Sequence, residues 1–171
     1  MKRLFVLAAL LSACSVGQGA KVVEISRVDA SGSGPEIGTI SFADTSQGLV
    51  VTPDLRGLTP GAHGFHIHEN PSCAPKEKDG KMVAAQAAGP HFDPLHTGKH
   101  LGPHGGGHEG DLPRLEVAPD GTATGAVTVA GLSLGDITGR SVMIHEGGDT
   151  YADSPAPLGG GGARIACGVI Q

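Results

Sequence analysis

From residue 21 onward, hydrophobic and polar positions alternate in short runs divided by turn residues. Residues 21–29 are rich in β-branched side chains, and 36–43 place Ile40 and Phe42 on one face with Thr39 and Ser41 on the other. Residues 48–55 carry Leu49-Val50-Val51, and 61–69 set Phe65 and Ile67 against His66 and His68. Residues 115–118 and 124–129 flank the turn signal Pro119-Asp120-Gly121. Residues 140–146 alternate Val142 and Ile144 against Met143 and His145, and 164–170 close the chain. A period of two is the signature of strands with one buried face. About eight such strands and no convincing helix predict an all-β fold, an antiparallel sandwich or barrel. Residues 70–113 and 147–163 lack the pattern; loops of such length inside a compact domain are functional or disordered.

Composition agrees. Glycine (29) and proline (12) recur too often among 171 residues for long helices, while 39% hydrophobic residues suffice for a core. The formal charge is −5. Without Lys2 and Arg3 it becomes −7, from 10 basic and 17 acidic residues, which excludes nucleic acid as a partner held by phosphate neutralisation.

The N-terminus reads as an export signal: basic Met1-Lys2-Arg3, an apolar run over 4–11, then Ser12-Ala13-Cys14. Leu11-Ser12-Ala13-Cys14 resembles a bacterial lipoprotein box, in which the cysteine is lipidated. Residues 1–20 are therefore expected to be a signal and short tether, with processing at Cys14, and 21–171 the functional domain. Membrane contact is expected only through that anchor, and the location is the bacterial periplasm or envelope. Cys73 and Cys167 remain, an even number in an oxidising compartment, where a disulfide is the default.

Nine histidines give the chain its chemistry. On a strand, His66 and His68 point to one side and can chelate one ion, and His145 on another strand offers a third imidazole. Imidazoles without sulfur ligands suit Cu(II). The first long loop adds His91, His96, His100, His104 and His108, then Asp111. Three imidazoles with a carboxylate make a closed zinc site that would order a glycine-rich loop. A polar, metal-scavenging loop is the plainer alternative.

The runs HGFHIHENPSC (63–73), AGPHFDP (88–94), GKHLGP (98–103), GHEGDLP (107–113), HEGGD (145–149) and GGGGARIACGVI (159–170) resemble copper-zinc superoxide dismutase in its bacterial, exported form. The resemblance spans the chain after the signal. It implies an eight-stranded Greek-key β-barrel with two long functional loops. It implies copper on His66, His68, His91 and His145, and zinc on His91, His100, His108 and Asp111, with His91 bridging the two. It makes Cys73–Cys167 the family disulfide, Arg164 the active-site arginine and Asp149 the carboxylate linking ligands of both metals. His63 is structural, and His96 and His104 carry no ligand role. Pro90 departs from the glycine expected before the bridging histidine.

The implied reaction is disproportionation of superoxide anion to dioxygen and hydrogen peroxide through a Cu(II)/Cu(I) cycle, with zinc structural and His91 carrying a proton. A homodimer and a monomer are both compatible with the family. The substrate is an anion approaching an acidic chain, so local focusing must outweigh net charge; Lys76, Lys78, Lys81 and Lys99 are candidate guides. A copper and zinc buffer, or a copper-delivery lipoprotein without catalysis, is the alternative on the same barrel.

Overall fold

The computed structural model describes residues 19–171; Cys14 and the export signal lie outside them. In chain order the strands are β1 (Lys21–Asp29), β2 (Gly32–Thr45), β3 (Gly48–Leu55), β4 (Gly61–His63), β5 (Phe65–His68), β6 (Lys76–Lys78), β7 (Lys81–Val83), β8 (Leu115–Val117), β9 (Val127–Val129), β10 (Arg140–His145) and β11 (Arg164–Ile170). A seven-stranded sheet runs β5-β10-β11-β1-β2-β3-β9 with every pairing antiparallel. It curls on itself, and β4, continuing from β5 past Gly64, pairs with β8.

Alternation builds the interior. Ile25, Ile40, Phe42, Leu49, Val51, Phe65, Ile67, Val142 and Ile144 are buried in one cluster, as their period predicts. Each fully buried side chain of this size contributes about 1.5–3 kcal/mol. Met143, one step out of phase, turns to the opposite face, where it meets Val28, Ala85, Ala88 and Cys167. That second cluster seats the start of the first long loop on the barrel exterior. The disulfide Cys73–Cys167, with Cα atoms 5.7 Å apart, joins loop to β11 inside it.

The sequence reading differs in four places. The expected strand 61–69 breaks at Gly64, whose N–H donates to Gly147 O (2.7 Å) and whose carbonyl accepts from His145 N (2.9 Å), so the chain turns to meet the second loop. The expected strand 124–129 keeps only β9 in the sheet. One helical turn, α1 (Leu134–Ile137), forms because Ser133 and Asp136 close a capping box. The long loop also carries the exposed hairpin β6–β7.

Candidate metal centre

His66 and His68 leave β5 on the face opposite Phe65 and Ile67, as expected, but are buried because the two loops cover that face. Register places Met143 of β10 beside His66, and an irregularity between Ile144 and His145 turns His145 towards them, opposite Arg164. An isolated bridge between His68 and His91 brings the first loop alongside. One ligand atom each from His66, His68, His91 and His145 then lies within 4.8 Å of the others.

In each ring one nitrogen is occupied by the protein. His66 Nε2 donates to Asp149 Oδ2 (2.7 Å), His68 Nδ1 to Gly89 O (2.9 Å), and His145 Nδ1 to Gly162 O (3.3 Å). The other nitrogen is left as a lone pair facing inward. His68 Nε2 and His145 Nε2 stand 3.4 Å apart, lone pair against lone pair, a contact that a cation relieves. His66 Nδ1 is buried without a partner.

A second group adjoins the first. His66, His91, His100 and Asp111 also offer atoms within 4.8 Å of one another. His91 Nδ1 donates to Asp111 Oδ1 (2.9 Å), which frees Nε2 for the first group. His108 Nδ1, buried and unpartnered, lies 3.4 Å from Asp111 Oδ1. His100 Nδ1 approaches Asp111 Oδ2 to 2.8 Å, yet neither atom has a hydrogen-bond partner. The contact is close but misaligned, as when two ligands aim at one ion. The orphaned nitrogens, the opposed lone pairs and the donor set, imidazole with one carboxylate, fit copper in the first group and zinc in the second.

Asp149 couples the groups. Its Oδ2 holds His66, while its Oδ1 accepts from His100 Nε2 (2.7 Å) and Tyr151 N (2.7 Å). Gly159 packs against this bond so closely that a Cβ would overlap Asp149 Oδ1. The backbone of His100 is held as well, its N–H donating to Asp153 Oδ2 (2.9 Å). His63 spans two carbonyls, Nδ1 to His145 O (2.6 Å) and Nε2 to Thr59 O (2.7 Å), bracing the strand that carries a ligand.

Burial disfavours charge on the first group, so His68 and His145 are held well below the ordinary imidazole pKa, with His66 also lowered. Burial likewise takes His91 to about 4. Burial opposes charge on His100 too, but Asp111 and Asp149 outweigh it and raise that ring to about 9. Burial pushes both carboxyls up, yet their imidazole hydrogen bonds prevail and hold them well below the carboxylate range.

Arg164 lies at the mouth, Nη1 donating to Ala85 O (2.7 Å) and Nη2 to Gly89 O (2.6 Å). Gly89 O thus fixes both Arg164 and His68. A cavity of about 360 Å³ is lined by His68, His91, His145, Arg164, Lys78 and Leu158, among others. Of the four candidate lysines it includes only Lys78. His96 and His104 are exposed and in neither group. Sequence reasoning missed Asp153, Tyr151 and the carbonyls of Ala85 and Gly89; the Gly159–Gly160–Gly161–Gly162 run was the one signal that backbone packs tightly here.

A curled antiparallel barrel with two adjoining ligand groups that share the buried His66 and His91 is the architecture of a β-barrel protein built to hold two metal ions side by side. The copper/zinc superoxide dismutase family model matches residues 36–170, so the chain belongs to that family. It is 54% identical over 173 residues to superoxide dismutase [Cu-Zn] 2 of Salmonella typhimurium, covering 100% of both chains. The Cu/Zn superoxide dismutase from Brucella abortus is similar in structure, at TM-score 0.88 and 52% identity over 90% of this chain and 100% of that one. The monomeric copper, zinc superoxide dismutase from Salmonella enterica follows at TM-score 0.81 and 54% identity, with 90% and 100% covered.

Proposed function

We propose that the chain disproportionates superoxide, two superoxide anions and two protons giving dioxygen and hydrogen peroxide. His66, His68, His91 and His145 would hold copper, and His91, His100, His108 and Asp111 zinc. Copper supplies a one-electron redox couple, and zinc, which has none, supplies charge and order.

The observation that carries the reading is His91: it and His66 are common to both groups, and of the two only His91 lines the cavity that Arg164 shares. Arg164 offers a planar cation to a small anion, and its two carbonyl contacts fix the orientation. Desolvation lowers its pKa from an ordinary value high enough that it stays charged at neutral pH. His91 can take and return a proton at Nε2, the nitrogen that its Nδ1 contact with Asp111 leaves free in this structure. Lys78 adds a charge at the mouth. A metal buffer requires no cation over an open cavity, so catalysis is favoured.

Every ligand comes from one chain, so a monomer suffices, in keeping with the Salmonella enterica relative. Residues 1–20 are assigned to export and 21–171 to the catalytic domain, with lipid attached at Cys14 and the protein placed in the periplasm or envelope. Among the described residues no helix is long and apolar enough to cross a membrane. Labelled palmitate should enter the wild-type protein and not Cys14→Ser.

The deciding experiment compares zinc-only with copper-zinc protein in suppressing superoxide-dependent cytochrome c reduction. Suppression at catalytic amounts by the copper-zinc form alone is expected. Inert protein carrying one equivalent of copper would leave storage or delivery as the function.

A further inference from the structure

Tyr151 belongs to neither ligand group, yet its φ is 56°, in the left-handed region that a bulky residue occupies only when its surroundings hold it there. Its N–H donates to Asp149 Oδ1 (2.7 Å). Its hydroxyl accepts from Arg114 N (2.9 Å), at the end of the first loop where the chain enters β8. Its ring packs against Gly102, where an added Cβ would stand 2.6 Å from Tyr151 Cγ and Cδ1.

The neighbours of Tyr151 repeat the theme at a spacing of two. Asp149 reaches the His100 ring and Asp153 the His100 backbone. Residues 149, 151 and 153 of the second loop therefore grip residues 100–102 of the first. The two carboxylates act at His100 itself. The aromatic ring acts two residues on, at Gly102, ahead of the glycine-rich turn that leads to His108.

We propose that Tyr151 is a positioning residue, an aromatic latch that presses the second loop onto the zinc-side loop and sets how quickly zinc leaves. This rests on the zinc assignment above. The hydroxyl and the N–H locate the ring, and contact with Gly102 does the holding.

Substitution can separate these parts. Tyr151→Gly removes the ring, retains the N–H to Asp149 and tolerates the positive φ. Tyr151→Phe keeps the ring and loses only the hydroxyl. Gly102→Ala sets a methyl into the ring from the opposite side but also strains a backbone at φ 69°, so Gly106→Ala, at the same φ with open space around its Cβ, controls for strain and should release zinc at the wild-type rate. Zinc release from each full-length, zinc-loaded protein is followed with a chromogenic chelator. The Co(II)-substituted visible spectrum and the melting temperature of the metal-free form are recorded alongside.

Tyr151→Gly and Gly102→Ala should release zinc about tenfold faster or more, in line with losing an outer contact of a metal site. Tyr151→Phe should stay close to wild type. A shift in the Co(II) spectrum with an unchanged metal-free melting temperature supports the latch. Wild-type release from Tyr151→Gly overturns it, as does a Tyr151→Phe that is as fast as Tyr151→Gly. If the wild-type protein takes up no zinc, the zinc assignment fails instead.

Discussion

Replacing Asp149 by asparagine removes one charge and almost no volume, which makes it a sharp probe of how the two metal sites are coupled. The carboxylate accepts three hydrogen bonds, from His66 Nε2, His100 Nε2 and Tyr151 N, each 2.7 Å long. An amide has one oxygen and one NH2, and the NH2 cannot accept. One of the two rings must therefore lose its acceptor. That ring either buries an unpaired N–H, at about 1–3 kcal/mol, or moves its proton to Nδ1. Nδ1 is the atom that His66 turns toward the copper group and His100 toward the zinc group. Both routes weaken metal binding, and loss of such an outer contact is worth about 10–100-fold in affinity, roughly 1.4–2.7 kcal/mol. Competition titrations of metal-free Asp149→Asn, with copper and zinc chelators in turn, measure each site. At least one affinity should fall about tenfold or more. Copper and zinc affinities that both stay within about threefold of wild type would refute the coupling role of Asp149.

Zinc must displace a proton from His100, so apparent zinc affinity should rise about tenfold per pH unit up to about 9, where that ring titrates; calorimetry in buffers of different ionisation enthalpy reads the released proton. In the metal-free protein, His91 is lowered to about 4 from 6.5, so its contribution is complete above 6.5 and lost as pH falls toward 4. His100, raised to about 9, contributes fully below 6.5 and loses its contribution as pH rises through 9, so metal-free stability should peak near pH 6.5 in a melting series. Arg164→Ala should lower kcat/KM about 10–100-fold, the worth of a charged hydrogen bond, with copper content unchanged in the purified protein. Lys78→Gln should lower kcat/KM and flatten its dependence on ionic strength, whereas Lys99→Gln, outside the cavity, should do neither. Serine at both Cys73 and Cys167 opens a link spanning 94 residues, and loop entropy values that at about 4–5 kcal/mol, read as a lower urea midpoint.

The strand-borne part of this candidate site could be read along the chain by local rules, whereas the roles of the loop residues came from the family resemblance. His66 and His68 sit two apart on a strand whose other face is Phe65 and Ile67, so alternation alone puts both imidazoles on one side. The core residues of β2, β3 and β10 follow the same rule and are buried where the pattern places them. What escaped was everything that depends on one loop lying upon another. The hydrogen bond from His100 N to Asp153 spans 53 residues, and that from Arg164 Nη2 to Gly89 O spans 75. Neither partner has a periodic neighbourhood to announce it, and a carbonyl oxygen has no sequence signature. The break at Gly64 was hidden for the same reason. Residues 61–69 alternate well enough for one strand, but Gly147 and His145 compete for the Gly64 backbone.

The two ligand groups also differ in what carries them, and this bears on what each metal does for the chain. His66, His68 and His145 stand on β5 and β10, hydrogen-bonded neighbours in the main sheet. Their separations are set by strand register and their free nitrogens by fixed partners, so three of the four proposed copper ligands are arranged by the barrel itself. His91, His100, His108 and Asp111 all lie between β7 and β8, in chain with no strand of its own beyond isolated bridges. Their arrangement depends on the loop, on Asp149 and Asp153 from the second loop, and on an ion to reconcile His100 with Asp111. Zinc held there would therefore order the segment that delivers the fourth proposed copper ligand, His91. The disulfide and Arg164 fasten the earlier part of the same segment, through Cys73, Ala85 and Gly89. The proposed copper site, resting three-quarters on rigid strands, would thus be completed by a loop held at three points, and the contacts most sensitive to substitution should be those loop fastenings rather than the strand-borne rings.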